Sequence, residues 1–406
     1  MKKLFLLLLF PTALLAQISG QVLSATDRKP VGFASVFINN STLGTTADEN
    51  GRFSINRLQP GKHELVVSIV GYEKFMTVIT SPSSKPLEIF IKEKDQMLDP
   101  VLVKAFDKDG WQTWNKLFLE TFIGTTENST KTKLLNPKDL RFRHDKKNNI
   151  LEVYALAPLR IRNSALGYDL EYHLEIFEVN FRHQTQVYAG YPFFKDRKVG
   201  KKELKNRQNT YDASLTKFFR SLYHNTLQKD GYLVRRLVEV KNKEKERIQK
   251  IYDKYTIKET GANGSLIVIG RPALPEDIYT SDSLQHFSKI LAQPSSSMSL
   301  YRDTLSRSQI LKRDAAGLKY IQFDEYLHVV NSLHKEEKKY LEYRRENRNI
   351  GPQTSLLRLV ENTPVEIQSN GNYFPPLNLL TSDYWGWSNK IADLLPLDYL
   401  PNSSTP

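Results

Sequence analysis

Between residues 18 and 94 every apolar run is cut short by turn-forming residues, so this stretch has no room for a long helix. Gly20-Gln21-Val22-Leu23 reads as one strand. Residues 31–38 read as another, with Val36 and Ile38 on one face under the two-residue period of a strand. Asn50-Gly51 is a tight-turn signal because both residues tolerate positive φ, and Phe53 and Ile55 alternate after it. Pro60-Gly61 is the next turn, 63–70 a long strand, and Gly71-Tyr72 its end. Runs at 75–79 and 87–91 bring the count to about seven short strands in about 75 residues, the spacing of a Greek-key β-sandwich.

These residues also carry a family resemblance. Gly20-x-Val22, Pro30-Val31, Ala34-x-Val36, Gly44-Thr45-Thr46, Asp48-x-Asn50-Gly51-x-Phe53, Leu58-x-Pro60-Gly61 and Ser68-x-x-Gly71-Tyr72 resemble the carboxypeptidase-regulatory-like domain. The resemblance implies a transthyretin-like β-sandwich, common at the N-termini of exported and outer-membrane proteins. It implies an accessory module, without peptidase chemistry of its own. Asp48-Glu49-Asn50-Gly51 is a turn rather than a calcium loop, because an EF-type loop ends in Glu six residues after its Gly, and Arg57 stands there.

Met1-Lys2-Lys3, the apolar run 4–10 and Ala13-Leu14-Leu15-Ala16 have the order of an export signal: a basic start, an apolar stretch and a small residue at the cut. The run is far short of the ~20 apolar residues of a spanning helix, and no later stretch approaches that length. Export gives the charge its meaning. The 406 residues carry 58 Lys+Arg against 45 Asp+Glu, a formal +13. Outside the cytoplasm such a chain meets an envelope protein or an anionic glycan or glycolipid rather than nucleic acid. With no Cys, disulfides, thiolate nucleophiles, iron–sulfur clusters and cysteine lipidation are all excluded.

The remaining chain reads as α+β. Residues 98–103 look like an exit strand from the first module. In nutrient receptors a plug and a large barrel would follow, but about 300 residues remain and they lack serial ten-residue strands. Residues 107–124 predict a helix with Trp111, Trp114, Phe118 and Phe122 as one apolar stripe facing the core. Residues 140–191 predict antiparallel strands, with Asn148-Asn149 turning a hairpin. In 168–176 the even positions are apolar, and Asp169, Glu171, His173 and Glu175 form a polar face expected to be solvated. Residues 214–230 predict a second helix, 334–348 a charged surface helix, and 382–395 a last amphipathic helix with Trp385 and Trp387.

Three later segments carry a second resemblance: Ala157-Pro158-Leu159-x-Ile161-x-Asn163 with Leu166-Gly167-Tyr168; Gln353-Thr354-Ser355; and Tyr384-Trp385-x-Trp387 with 391–399. They are similar to the C-terminal region of exported proteins that pair it with the same regulatory-like module. This implies architecture and location, and no activity.

Catalytic signatures are missing. His334-Lys335-Glu336-Glu337 satisfies the His-x-x-Glu of zinc carboxypeptidases, yet His334 is the last of eight histidines, so the downstream His ligand has no candidate. There is no Gly-x-Ser-x-Gly elbow, P-loop or His-Glu-x-x-His. The main basic cluster is Lys195, Arg197, Lys198, Lys201, Lys202, Lys205 and Arg207, a candidate contact for an anionic partner. The sequence thus predicts a mainly β protein with α+β character: an export signal (1–16), a carboxypeptidase-regulatory-like sandwich (17–105), an α+β domain (106–400) and a disordered tail (401–406). The expected role is non-enzymatic binding or assembly at the cell envelope, in the periplasm or at the outer membrane. No catalytic, cofactor or metal residue is assigned. The alternative is an exported hydrolase or glycan-processing enzyme with its site in the C-terminal domain.

Overall fold

A computed structural model describes residues 16–82, 85–94, 106–260, 266–270, 274–275 and 279–401. The segments expected to be an export signal, an exit strand (98–103) and a tail beyond Pro401 fall outside the described residues, apart from position 16.

The N-terminal segment is a two-sheet β-sandwich. One sheet orders its strands Arg52–Leu58, Ala16–Ser24, Leu87–Ile91; the other orders Gly44–Thr46, Ser35–Ile38, Gly61–Ser68, Phe75–Ser81. Inward residues such as Val22, Val36, Ile38, Phe53, Ile55, Leu65, Val67 and Ile89 close a core between the sheets. The Asn50-Gly51 turn differs in one respect from a hairpin: the strands it joins belong to different sheets. Asp48 Oδ1 accepts the amides of Asn50 and Arg52 at 2.9 and 2.8 Å, and only Gly51 takes a positive φ, 71°. A Cβ at Gly51 would lie 2.4 Å from the Val22 carbonyl oxygen, so the turn requires glycine.

Part of the outward face of the second sheet is also buried, while Met76 and Val78 on its edge strand stay exposed. Phe37 and Val66 point away from the sandwich core, yet they are 1% and 0% exposed. Phe37 stacks on His173 and meets Phe193, with ring centroids 5.4 and 5.0 Å apart. Backbone bonds cross the same seam: Asn40 N–H to Pro192 O, 2.8 Å; Phe194 N–H to Ser41 O, 3.0 Å; Leu397 N–H to Asn40 O, 2.7 Å. Lys62 pairs with Glu366 at 2.9 Å, Lys74 pairs with Glu175, and Thr42 bonds to Asp398. The polar face expected to be solvated in 168–176 therefore packs against the sandwich at its middle. His173 is buried there because the Phe37 ring covers it.

That burial has a pH consequence. Desolvation, with help from the Lys74 charge, lowers the His173 pKa to about 4. The unfolded chain takes up this proton near pH 6.5, the folded chain only near 4. The stabilisation is present above pH 6.5 and is lost as pH falls through 4. His173→Phe keeps a ring against Phe37 and removes the titration. Urea unfolding at several pH values should show about 3 kcal/mol less loss on acidification for this variant than for the wild type. Parallel pH curves for the two proteins would refute the assignment.

The second part contains a six-stranded antiparallel sheet built on the long hairpin of Tyr168–Asn180 and Thr185–Asp196. The helix Gly110–Phe122 lies on it, with Phe118 and Phe122 fully buried and Trp111 and Trp114 packed alongside, as the stripe predicts. A five-stranded sheet follows, in the order Ser296–Thr304, Tyr232–Lys241, Tyr326–Lys335, Pro352–Leu359, Leu379–Ser382. Its core receives Phe218, Phe219 and Leu222 from the helix Leu215–His224, which Ser214 caps by accepting the Lys217 amide. Two helices that the sequence reading did not anticipate, Lys243–Tyr255 and Ser281–Ala292, lie between strands Tyr232–Lys241 and Ser296–Thr304. They pack around Ile248, Leu274 and Phe287.

Two helix expectations need correction. His334 and Lys335 close the strand Tyr326–Lys335, and only Lys338–Arg344 is helical. Cross-strand pairing with Pro352–Leu359 takes the first residues of that charged run. Residues 382–395 hold a short helix, Asp383–Ser388, and one turn, Ile391–Asp393. Both are held by tertiary contacts to Ser355, Ala213 and Ile123 rather than by helix length.

Candidate functional site

The basic cluster does not form one surface. Lys195, next to the last residue of the strand Thr185–Asp196, pairs with Glu171 at 2.5 Å; Arg197 lies 3.8 Å from Asp169. Arg207 is turned inward. It is 7% exposed, its Nε–H donates to Leu166 O at 2.6 Å, and its Nη2–H donates to Gly167 O and Asp196 at 3.0 and 2.8 Å. Its guanidinium lies 3.7 Å from the Tyr168 ring centre. Gly167 makes this possible: at φ 70°, a Cβ there would meet Val199 at 2.1 Å. Arg207 thus serves the fold and presents no charge to a partner.

The other lysines remain at the surface. The helix Lys201–Ala213 opens where Glu203 reaches back to accept the Gly200 amide at 2.9 Å. Lys198, Lys201, Lys202 and Lys205 are exposed at this end, and none forms an ion pair among the described residues. The first-turn lysines face the positive end of the helix dipole, and Glu203 in the same turn partly offsets them.

Further along the same helix, Asn209 and Thr210 border a polar cleft of about 360 Å³. Residues from distant parts of the chain meet here: Glu127 and Asn128, His334 and Glu337, Gln353, and Asp393. The three later sequence segments singled out above converge around it. Asn163 Nδ2–H donates to Ala392 O at 2.8 Å; Ser355 Oγ accepts the Trp385 amide at 3.0 Å. The Trp385 indole N–H donates to Ala213 O at 2.8 Å, and that of Trp387 to Thr125 Oγ1 at 2.8 Å.

Two carboxyls of the cleft, Asp393 and Glu337, are shifted. Burial raises Asp393 to about 7, against the pull of the Thr126 hydroxyl (2.6 Å) and the Asn128 amide (2.8 Å), which both donate to it. Burial also raises Glu337, which accepts the Glu127 amide at 3.0 Å. Glu127 itself pairs with Lys339 at 3.5 Å. Burial lowers His334. His334 and Glu337 share this cleft, but among the described residues no group of three or more metal-ligating side chains is gathered. Sequence reasoning missed the cleft because its members are scattered from 127 to 393, with no local spacing to link them.

With the geometry in place, the chain can be set beside known proteins. Residues 18–103 match the family model of the CarboxypepD_reg-like domain. The CarboxypepD_reg-like domain of this chain is thus the β-sandwich that packs on His173 and Phe193. No curated protein matches the chain. Among solved structures, one similar chain is a Bacteroides fragilis protein of unknown function, provisionally described as membrane-associated. It has 10% identity and a TM-score of 0.16, over 88% of this chain and 92% of that one. Another is a 9R-lipoxygenase from Cyanothece, with 11% identity and a TM-score of 0.17, over 54% of this chain and 48% of that one. At such TM-scores neither likeness carries an argument. No helix among the described residues is long and apolar enough to cross a membrane.

Proposed function

We propose that this is an exported, non-enzymatic binding protein of the cell envelope that meets an anionic glycolipid through Lys198, Lys201, Lys202 and Lys205. The observation that carries the reading is that these four exposed ammonium groups, gathered at one helix end, form no ion pair among the described residues. Like charges crowded there repel one another, and phosphate groups of a glycolipid would relieve that repulsion. The CarboxypepD_reg-like domain, with one sheet face packed on the second domain, acts in this reading as a fixed support.

Co-sedimentation with anionic and neutral vesicles tests it. Binding should require the anionic lipid and weaken with salt. Replacing the four lysines by Gln should lower it at least about tenfold. Binding that ignores both salt and the substitutions would overturn the reading, and capture of an envelope protein by the same lysines would redirect it.

A second reading, an exported hydrolase acting in the cleft, is favoured by the raised carboxyls of Asp393 and Glu337. A carboxyl that keeps its proton near neutral pH is suited to general-acid work. Against it, Thr126 and Asn128 already occupy both Asp393 oxygens. Product release from envelope polysaccharide, abolished by Glu337→Gln, would replace the binding reading with this one.

A further inference from the structure

A polar row crosses the buried face of the five-stranded sheet. Tyr232 lies opposite Asn331, and Asn331 opposite Gln353, so the three side chains stand side by side on neighbouring strands. They are 4%, 4% and 7% exposed. Each keeps one polar atom without a hydrogen-bond partner among the described residues: the Tyr232 hydroxyl, Asn331 Oδ1 and Gln353 Oε1. The amide orientations follow from their other ends. Asn331 Nδ2–H donates to Asp212 O at 3.0 Å, and Gln353 Nε2–H to Lys335 O at 3.0 Å. The two free amide atoms are therefore carbonyl oxygens, which only accept.

A buried acceptor without a donor costs about 1–3 kcal/mol, so two neighbouring ones are a poor device for stability alone. Gln353 lies in the wall of the polar cleft, with the row running inward behind it. Glu127 and Glu337 add further acceptors, and the Asn209 amide stands at the side. An apolar ligand would leave the acceptors unmet, and an anion would bring them further acceptors instead of donors. A ligand dense in O–H or N–H donors fits. The volume lies within the range of small-molecule sites, about 300–1,000 Å³.

We propose that this cleft binds a mono- or disaccharide, with the buried Gln353 Oε1 turning into the cleft to accept a sugar hydroxyl or amino hydrogen. The inference does not rest on the lysine surface, whose ligand is anionic.

Calorimetric titration of the full chain with glucose, N-acetylglucosamine, its disaccharide and glucosamine tests the proposal; the last separates an amino from a hydroxyl donor. At least one sugar should bind. Gln353→Met keeps the volume and removes the acceptor, so it should weaken that binding about tenfold or more; it also loses the Nε2–H bond to Lys335 O, and a thermal unfolding curve run alongside separates that loss from the loss of binding. Asn209→Ala, at an exposed position, should weaken binding without affecting unfolding. If no sugar in the panel binds at millimolar concentration, or if Gln353→Met leaves affinity unchanged, the row is satisfied by buried water only and the proposal fails. Vesicle binding through the lysines should be the same in Gln353→Met as in the wild type, so either idea can fail alone.

Discussion

Arg207→Ala should cost about 3 kcal/mol of folding stability, whereas Lys201→Gln and Lys202→Gln should stay within about 0.5 kcal/mol of the wild type. The contrast follows from where the side chains go. The Arg207 guanidinium supplies the Leu166 and Gly167 carbonyls with charged donors and covers the Tyr168 ring. Removing it strands buried carbonyls next to a fully packed tyrosine. Asp196 contributes little to the loss, because it is mostly exposed and regains water. Arg207→Lys should fall between, since an ammonium cannot span the two carbonyls and the carboxylate as a planar fork does. Chemical unfolding of the four variants measures this. An Arg207→Ala protein as stable as the wild type would show that the 163–167 turn needs no clamp. The result also bears on function: a substitution that neutralises the whole 195–207 run would unfold the site and imitate a loss of binding.

The second large effect is expected at Asp393. Its folded pKa near 7 stands above the ordinary value of 3.8. A raised carboxyl contributes stability that is fully present below the unfolded pKa and is lost as pH rises through the folded one. Between about pH 4 and 7 the shift corresponds to about 4 kcal/mol, as an order of magnitude. Asp393→Asn removes that slope, so its stability relative to the wild type should climb across this window. At mildly alkaline pH the variant should be the more stable protein. His173 acts in the opposite sense over an overlapping range, so only the difference between the two curves isolates Asp393. Lys390, lowered to about 8 by burial, adds stability only as pH rises above that value and does not interfere. A difference curve flat from pH 4 to 8 would refute the shift and weaken the hydrolase reading with it.

The sandwich was legible in the chain because strand alternation and turn chemistry are local. Val36, Ile38, Phe53 and Ile55 point where a two-residue period sends them. The Trp111 to Phe122 stripe was legible for the same reason, with a 3.6-residue period. The residues that broke the pattern are those answering to distant partners. Phe37 and Val66 are apolar on a face that a lone sandwich would expose; they mark the seam with the rest of the chain, and outward apolar residues in those strands were its sequence signal. His173 sat in a polar alternation and was read as solvated, because nothing near it in sequence mentions Phe37. Lys335 reads as helical by composition, and its pairing with Pro352 holds it in the strand instead.

By itself, then, the sequence determined the two-sheet sandwich, the amphipathic helix on the second domain, the excess of positive charge and the exclusion of cysteine chemistry. Each of these depends on residue type or on spacing over a few positions. Only the tertiary structure decided which of seven clustered cations reach solvent, that the sandwich is seated on His173, and that Glu127, Glu337, Gln353 and Asp393 share one cleft. Charge and hydrogen-bonding capacity are written in the residues, but whether they face water, a carbonyl or one another depends on contacts between segments hundreds of residues apart.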